Sequence, residues 1–170
     1  MSYWSDLYAG DLIELTAALD EGIADSDDPF VKAHVNLPSI VPGPEDQQLP
    51  NSMDTLTRLA CELIGVPNCR FFTQARQIRG DPDPYRATSG VFLMSQEWIA
   101  LMSQLSDKEA ATLAERWTAE ILSEPRVAFV NSPQERAEAE ESVTDLVAGV
   151  SDVCRVGIAL SLPVVYHWTL

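Results

Sequence analysis

The run VTDLVAGVSDVCRVGIALSLPVVYHWTL, residues 143–170, decides the class of fold. Its apolar residues Val143, Leu146, Val147, Val150, Cys154 and Ile158 recur three and four apart, the spacing of one helical face. Glu138, Glu141, Asp145 and Asp152 fall on the opposite, solvent side of the same helix. Gly149 and Gly157 lie inside it and predict a kink or a close helix contact. Pro163 must end the helix, because it donates no hydrogen bond and its ring clashes with the preceding turn. Beyond it the period drops to two. Val164, Tyr166 and Trp168 share one face, and Val165, His167 and Thr169 the other. So apolar a strand would be an aggregation hazard at an open edge, so 164–170 is expected inside a sheet.

Other elements follow outward from this helix-to-strand junction. Ser132-Pro133-Gln134-Glu135 is a capping box that starts the last helix, with proline at the favoured first position. Ser106-Asp107-Lys108-Glu109 is another, opening a helix whose buried stripe is Ala110, Leu113, Ala114, Trp117 and Ile121. Glu124-Pro125 ends that helix, and Arg126 to Val130 reads as a short strand. Val91 to Met94 is a strand feeding a helix near Ser95. Further back, Cys69 to Arg79 reads as a strand that runs into the turn at residues 80–84. Asn51 or Ser52 caps a helix lined by Leu56, Leu59, Ala60 and Leu63, which Gly65-Val66-Pro67 stops.

Residues 37–50 hold four prolines and read as an extended loop. Phe30 to Val35 reads as a strand. The spacing of Tyr8, Leu12, Leu15, Leu19 and Ile23 predicts a first helix, capped by Asp11 or Ser5 and closed by Gly22. Residues 1–170 are therefore expected to form a single two-layer α+β domain. About five helices would pack on one face of a sheet of four or five strands. A parallel α/β sheet is the alternative.

Composition limits function. The chain has 170 residues, 46% hydrophobic and 22% charged, the profile of a globular domain. Asp plus Glu number 26 against 11 Lys plus Arg, a formal net charge of −15. Such a chain repels phosphate backbones and anionic membrane surfaces, so neither nucleic acid nor membrane is an expected partner. A basic protein is, because complementary fields speed association. Three cysteines, Cys61, Cys69 and Cys154, match no disulfide scaffold and suit a reducing compartment. Eight acids and no basic residue precede Lys32, which argues against a signal peptide. A cytoplasmic location is expected.

Candidate chemistry is sparse. The chain carries no G-x-S-x-G elbow, Walker loop, Rossmann glycine pattern or H-E-x-x-H. The reading is therefore away from an enzyme, with no cofactor and no metal. The weak catalytic candidates are Cys69, which follows a turn, and the only two histidines, His34 and His167. Cys61 and Cys154 fall on apolar helix faces, as inert thiols do. Arg70, Arg76, Arg79 and Arg86 form a basic island within 17 residues of an acidic protein. Arginine forks grip carboxylates and phosphates, so these four are candidates for an anionic ligand. Internal pairing with the acidic first helix is the plainer reading.

Acidity and small single-domain size are similar to those of bacterial immunity proteins, a likeness of composition that covers no motif. The expected function is a non-enzymatic protein-binding or regulatory factor, of the immunity or antitoxin type, docking on a basic partner. A small enzyme or ligand-binding protein with an anion pocket around Arg76 and Arg79 is the alternative.

Overall fold

A computed structural model describes residues 4–21, 27–37, 52–67, 75–80, 89–123 and 133–169. The strands are β1 (Trp4–Gly10), β2 (Val31–Leu37), β3 (Arg76–Gly80), β4 (Ser89–Leu93) and β5 (Val164–Thr169). The helices are α1 (Leu12–Glu21), α2 (Ser52–Ile64), α3 (Gln96–Ser103), α4 (Asp107–Ser123) and α5 (Pro133–Ala159). Strand order is β2-β1-β5-β4-β3, and every neighbouring pair is antiparallel. The class is α+β, with five helices on a five-stranded sheet among the described residues, and the parallel alternative falls away.

β5 sits at the centre of this sheet, as its apolar alternation requires. Its Val164, Tyr166 and Trp168 face the main core, with Leu7, Ala9 and Leu37 from β1 and β2. The apolar faces of α2, α3, α4 and α5 close that core. Both glycines of α5 are explained by its approach to the sheet. A Cβ at Gly149 would lie 2.7 Å from Val35 Cγ2, and one at Gly157 2.7 Å from Val164 Cγ2. Ile158, expected in the buried stripe, is instead 49% exposed. Gly157 takes the position against the strand, and Ile158 lies about 100° further round the helix.

The first segment differs from its sequence reading. Tyr8 belongs to β1, and the helix begins only at Leu12. Asp11 Oδ1 accepts from the backbone N–H groups of Ile13 and Glu14, at 3.0 and 3.1 Å. That cap fixes the helix start and excludes Ser5. At Gly10 the chain passes so close to Phe30 that a Cβ would lie 2.3 Å from its carbonyl oxygen. The spacing of Tyr8, Leu12, Leu15 and Leu19 nevertheless has a physical basis. Tyr8, Leu15 and Leu19 share a second, smaller core with Val31, Val91 and Val165. Because β-strand side chains alternate, this core lies on the face opposite Leu7, Val164 and Tyr166. The placing of all helices on one face is thereby corrected, because α1 covers part of the other. A bulge between Ala9 and Gly10 turns Val31 toward that second core.

Local capping chemistry is as the sequence indicates. Ser95 Oγ accepts from Trp98 N at 3.2 Å to start α3. At α4, Ser106 N donates to Glu109 Oε2 at 2.8 Å, and Glu109 N returns a bond to Ser106 Oγ at 3.3 Å. Gly65, at φ +77°, ends α2, its N–H bonded to the Cys61 carbonyl. Several expected features lie outside the described residues: Gly22, Ile23, the loop beyond Leu37, Asn51, residues 68–74 and 81–88, Arg126 to Val130, and Ser132.

Candidate functional site

The fold brings the two histidines onto one face of the sheet, about a single carboxylate. Asp6 on β1 is in register with Asn36 on β2 and with His167 on β5. Tyr8, two residues along, is in register with His34. His34 Nε2 reaches diagonally to Asp6 Oδ1 at 2.8 Å, and Asn36 Nδ2 donates to the same oxygen at 3.0 Å. The His34 ring stacks on Tyr8, centroids 4.7 Å apart and planes 23° from parallel. Both Asp6 and His34 are largely covered, with 16% and 23% of their side chains exposed.

His167 is half-buried on the other flank of Asp6. Burial holds its pKa below the ordinary imidazole value, and the nearby Asp6 charge opposes this. The neutral ring is thus favoured in the fold. On acidification the unfolded chain takes its proton first, near the ordinary imidazole value of about 6.5. His167 should therefore cost stability as pH falls below that value, until the lower folded-state pKa is passed. Urea unfolding at about pH 7.5 and about pH 5.5 should show a smaller acid loss in His167→Gln than in the natural chain. Equal losses would remove His167 from the account.

The Asp6–His34 pair has the orientation of a base held by a carboxylate. Hydrolytic chemistry would also need a nucleophile within reach of the ring. The expected one, Cys69, lies outside the described residues. Cys61 and Cys154 are buried in the main core, on the far side of the sheet, and burial pushes the Cys154 thiol far up. Among the described residues no group of three or more His, Cys, Asp and Glu could hold a metal ion. His34 and His167 stand on strands about 10 Å apart, with β1 between them.

Of the basic island, Arg70 and Arg86 lie outside the described residues. Arg76 and Arg79 are exposed on β3, an outermost strand of the described sheet. Their register partners are Leu93 and Val91, and Val91 is itself opposite His167. Both arginines are therefore on the histidine-bearing face. Ion pairs among the described residues are seen at Arg58, Arg116 and Arg155. Arg58 grips Glu120 with two bonds of 2.7 Å and also holds Glu62, which takes Arg116 at 2.7 Å. Arg155 binds Asp152 at 2.7 Å.

Asp6 was not among the sequence candidates. The available signal was the alternation of Ser5, Leu7 and Ala9 against Asp6 and Tyr8, which the longer helical pattern beginning at Tyr8 masks. Along the outer side of α5, Glu138, Glu140, Glu141, Asp145 and Asp152 are all exposed. No helix among the described residues is long and apolar enough to cross a membrane. Comparison with protein-family models, curated proteins and solved structures finds no match.

Proposed function

We propose that this chain is a non-enzymatic binding factor that docks on a basic protein, in the manner of a cytoplasmic bacterial immunity protein or antitoxin. The observation that carries the reading is the outer side of α5. Its exposed carboxylates at 138, 141 and 145 form a stripe about 11 Å long at 1.5 Å per residue, and Asp152 further along is paired with Arg155. Residues 137–151 include no lysine or arginine. With a formal charge of −15 behind it, such a stripe speeds encounter with a basic surface and disfavours nucleic acid. Pull-down from the native lysate at low and high salt is the test, alongside the charge-reversed chain Glu138→Lys, Glu141→Lys, Asp145→Lys. A basic partner should be retained by the natural chain at low salt and lost from the reversed one. No stable partner at either salt would remove the main support.

A second reading, a ligand-binding protein or small enzyme for an anion, is favoured by one observation. Arg76 and Arg79 share a face with both histidines, as their register partners show. Saturable binding of inorganic phosphate or a small dicarboxylate, abolished by Arg76→Ala with Arg79→Ala, would raise it above the first.

A further inference from the structure

We propose that Asp6, His34 and His167 act as one coupled protonation unit that fastens strand β2 to the middle of the sheet and loosens it on acidification. The inference is independent of the docking function. It rests on the placing of two imidazoles on opposite flanks of one carboxylate, His34 bonded to it and His167 opposite it in register, across three adjacent strands.

On the β2 side the contacts are direct, with His34 Nε2 at 2.8 Å and Asn36 Nδ2 at 3.0 Å from the same Asp6 oxygen. On the β5 side His167 is the register partner of Asp6. A proton on His34 would make its bond to Asp6 charge-assisted and tighten β2. A second proton, on His167, places cations on both flanks of one carboxylate. Each then shares the attraction that one had alone, and the two repel, so the titrations are linked.

The strain falls on β2. β5 is hydrogen-bonded on both sides, by β1 and β4, and its Val164, Val165, Tyr166 and Trp168 are buried. β2 is outermost among the described strands and pairs with β1 alone. Other charged or titratable groups on this face set the background. Tyr8 of β1 stacks on His34. Lys32 of β2 is tied through Nζ to the Pro29 carbonyl. From β4, Ser89, Val91 and Leu93 bring no charge. Arg76 and Arg79 of β3 oppose the second proton, and Asp11 and Glu14 at the start of α1 favour it.

With only two histidines in the chain, imidazole resonances in NMR can be followed one by one. His34→Gln should raise the His167 titration midpoint, because a competing cation is gone. Asp6→Asn should lower it, because the shared carboxylate is gone. Amide protection factors in β2 should fall between about pH 7.5 and about pH 5 while those in β4 hold, and the fall should vanish in His167→Gln. A His167 midpoint unmoved by His34→Gln, or β2 protection that ignores pH in the natural chain, would overturn the proposal. Should Asp6→Asn fail to fold, those two measurements still decide.

Discussion

A chain truncated after Pro163 should not fold. Far-UV circular dichroism should show loss of the cooperative melt, and the product should be largely insoluble. The deletion takes the central strand out of the order β2-β1-β5-β4-β3, leaving two unconnected hairpin-like pairs. Val164 and Val165 are fully buried, with Tyr166 at 1% and Trp168 at 4% exposed. Each such side chain is worth about 1.5–3 kcal/mol on burial. Four of them approach the whole 5–15 kcal/mol by which a domain is typically stable, roughly speaking. Two further losses add to this. β1 and β4 would each present an unpaired edge, a template for aggregation. Gly157 of α5 would lose Val164, the side chain against which it is packed. A truncated protein with an unchanged melting temperature would make β5 peripheral and contradict the observed topology.

What was legible in the sequence was local. β5 could be read because proline, period-two alternation and β-branched residues coincide within seven positions. The Ser106 cap can be read because the chemistry of a helix start is complete within four residues. Asp11 carries the same kind of signal and does cap the helix, while the apolar period from Tyr8 onward keeps an earlier start at Ser5 open. That period is a genuine packing pattern: Tyr8 and Leu15 do touch one core, but from a strand and a helix in turn. Ile158 falls outside the buried stripe for a related reason. Three-and-four spacing names a stripe but not its centre, and the glycine beside it determined which side met β5.

The site was less legible because it is made by register. Asp6 meets partners 28 and 161 positions away, His34 and His167, and no local pattern announces such a meeting. The histidines could be named because there were only two. Their relation to each other required the placement of β1 between β2 and β5. For Arg76 and Arg79, the sequence marked the charge but not the side of the sheet, which depends on the shift in register between Gln77 and Arg79. Arg58, Arg116 and Arg155 have carboxylates in helical or interhelical reach and pair with them.

Trp98→Ala should be the most damaging single substitution outside the strands, costing about 3–5 kcal/mol. Trp98 is fully buried in the first turn of α3, with Met53, Leu56 and Trp117 in the same core. Its loss leaves a cavity that the surrounding helices cannot wholly fill. It also removes a specific bond. Trp98 Nε1 donates to Thr57 Oγ1 at 2.9 Å, and that hydroxyl donates onward to the Met53 carbonyl at 2.7 Å. Thr57 is itself fully buried, so its oxygen has no solvent to turn to. The two contributions can be separated. Trp98→Phe keeps most of the ring and loses the N–H, and should cost about 1–3 kcal/mol, the scale of an unsatisfied buried polar group. Adding Thr57→Val to it should then cost less than the sum of the separate changes, since the partner left unsatisfied is removed as well. The Ser95 cap should survive in every variant, because it uses the backbone N–H of residue 98. Urea midpoints at constant m-value provide the measurement. Strict additivity in the Trp98→Phe, Thr57→Val pair would mean that the hydrogen bond contributes nothing beyond packing.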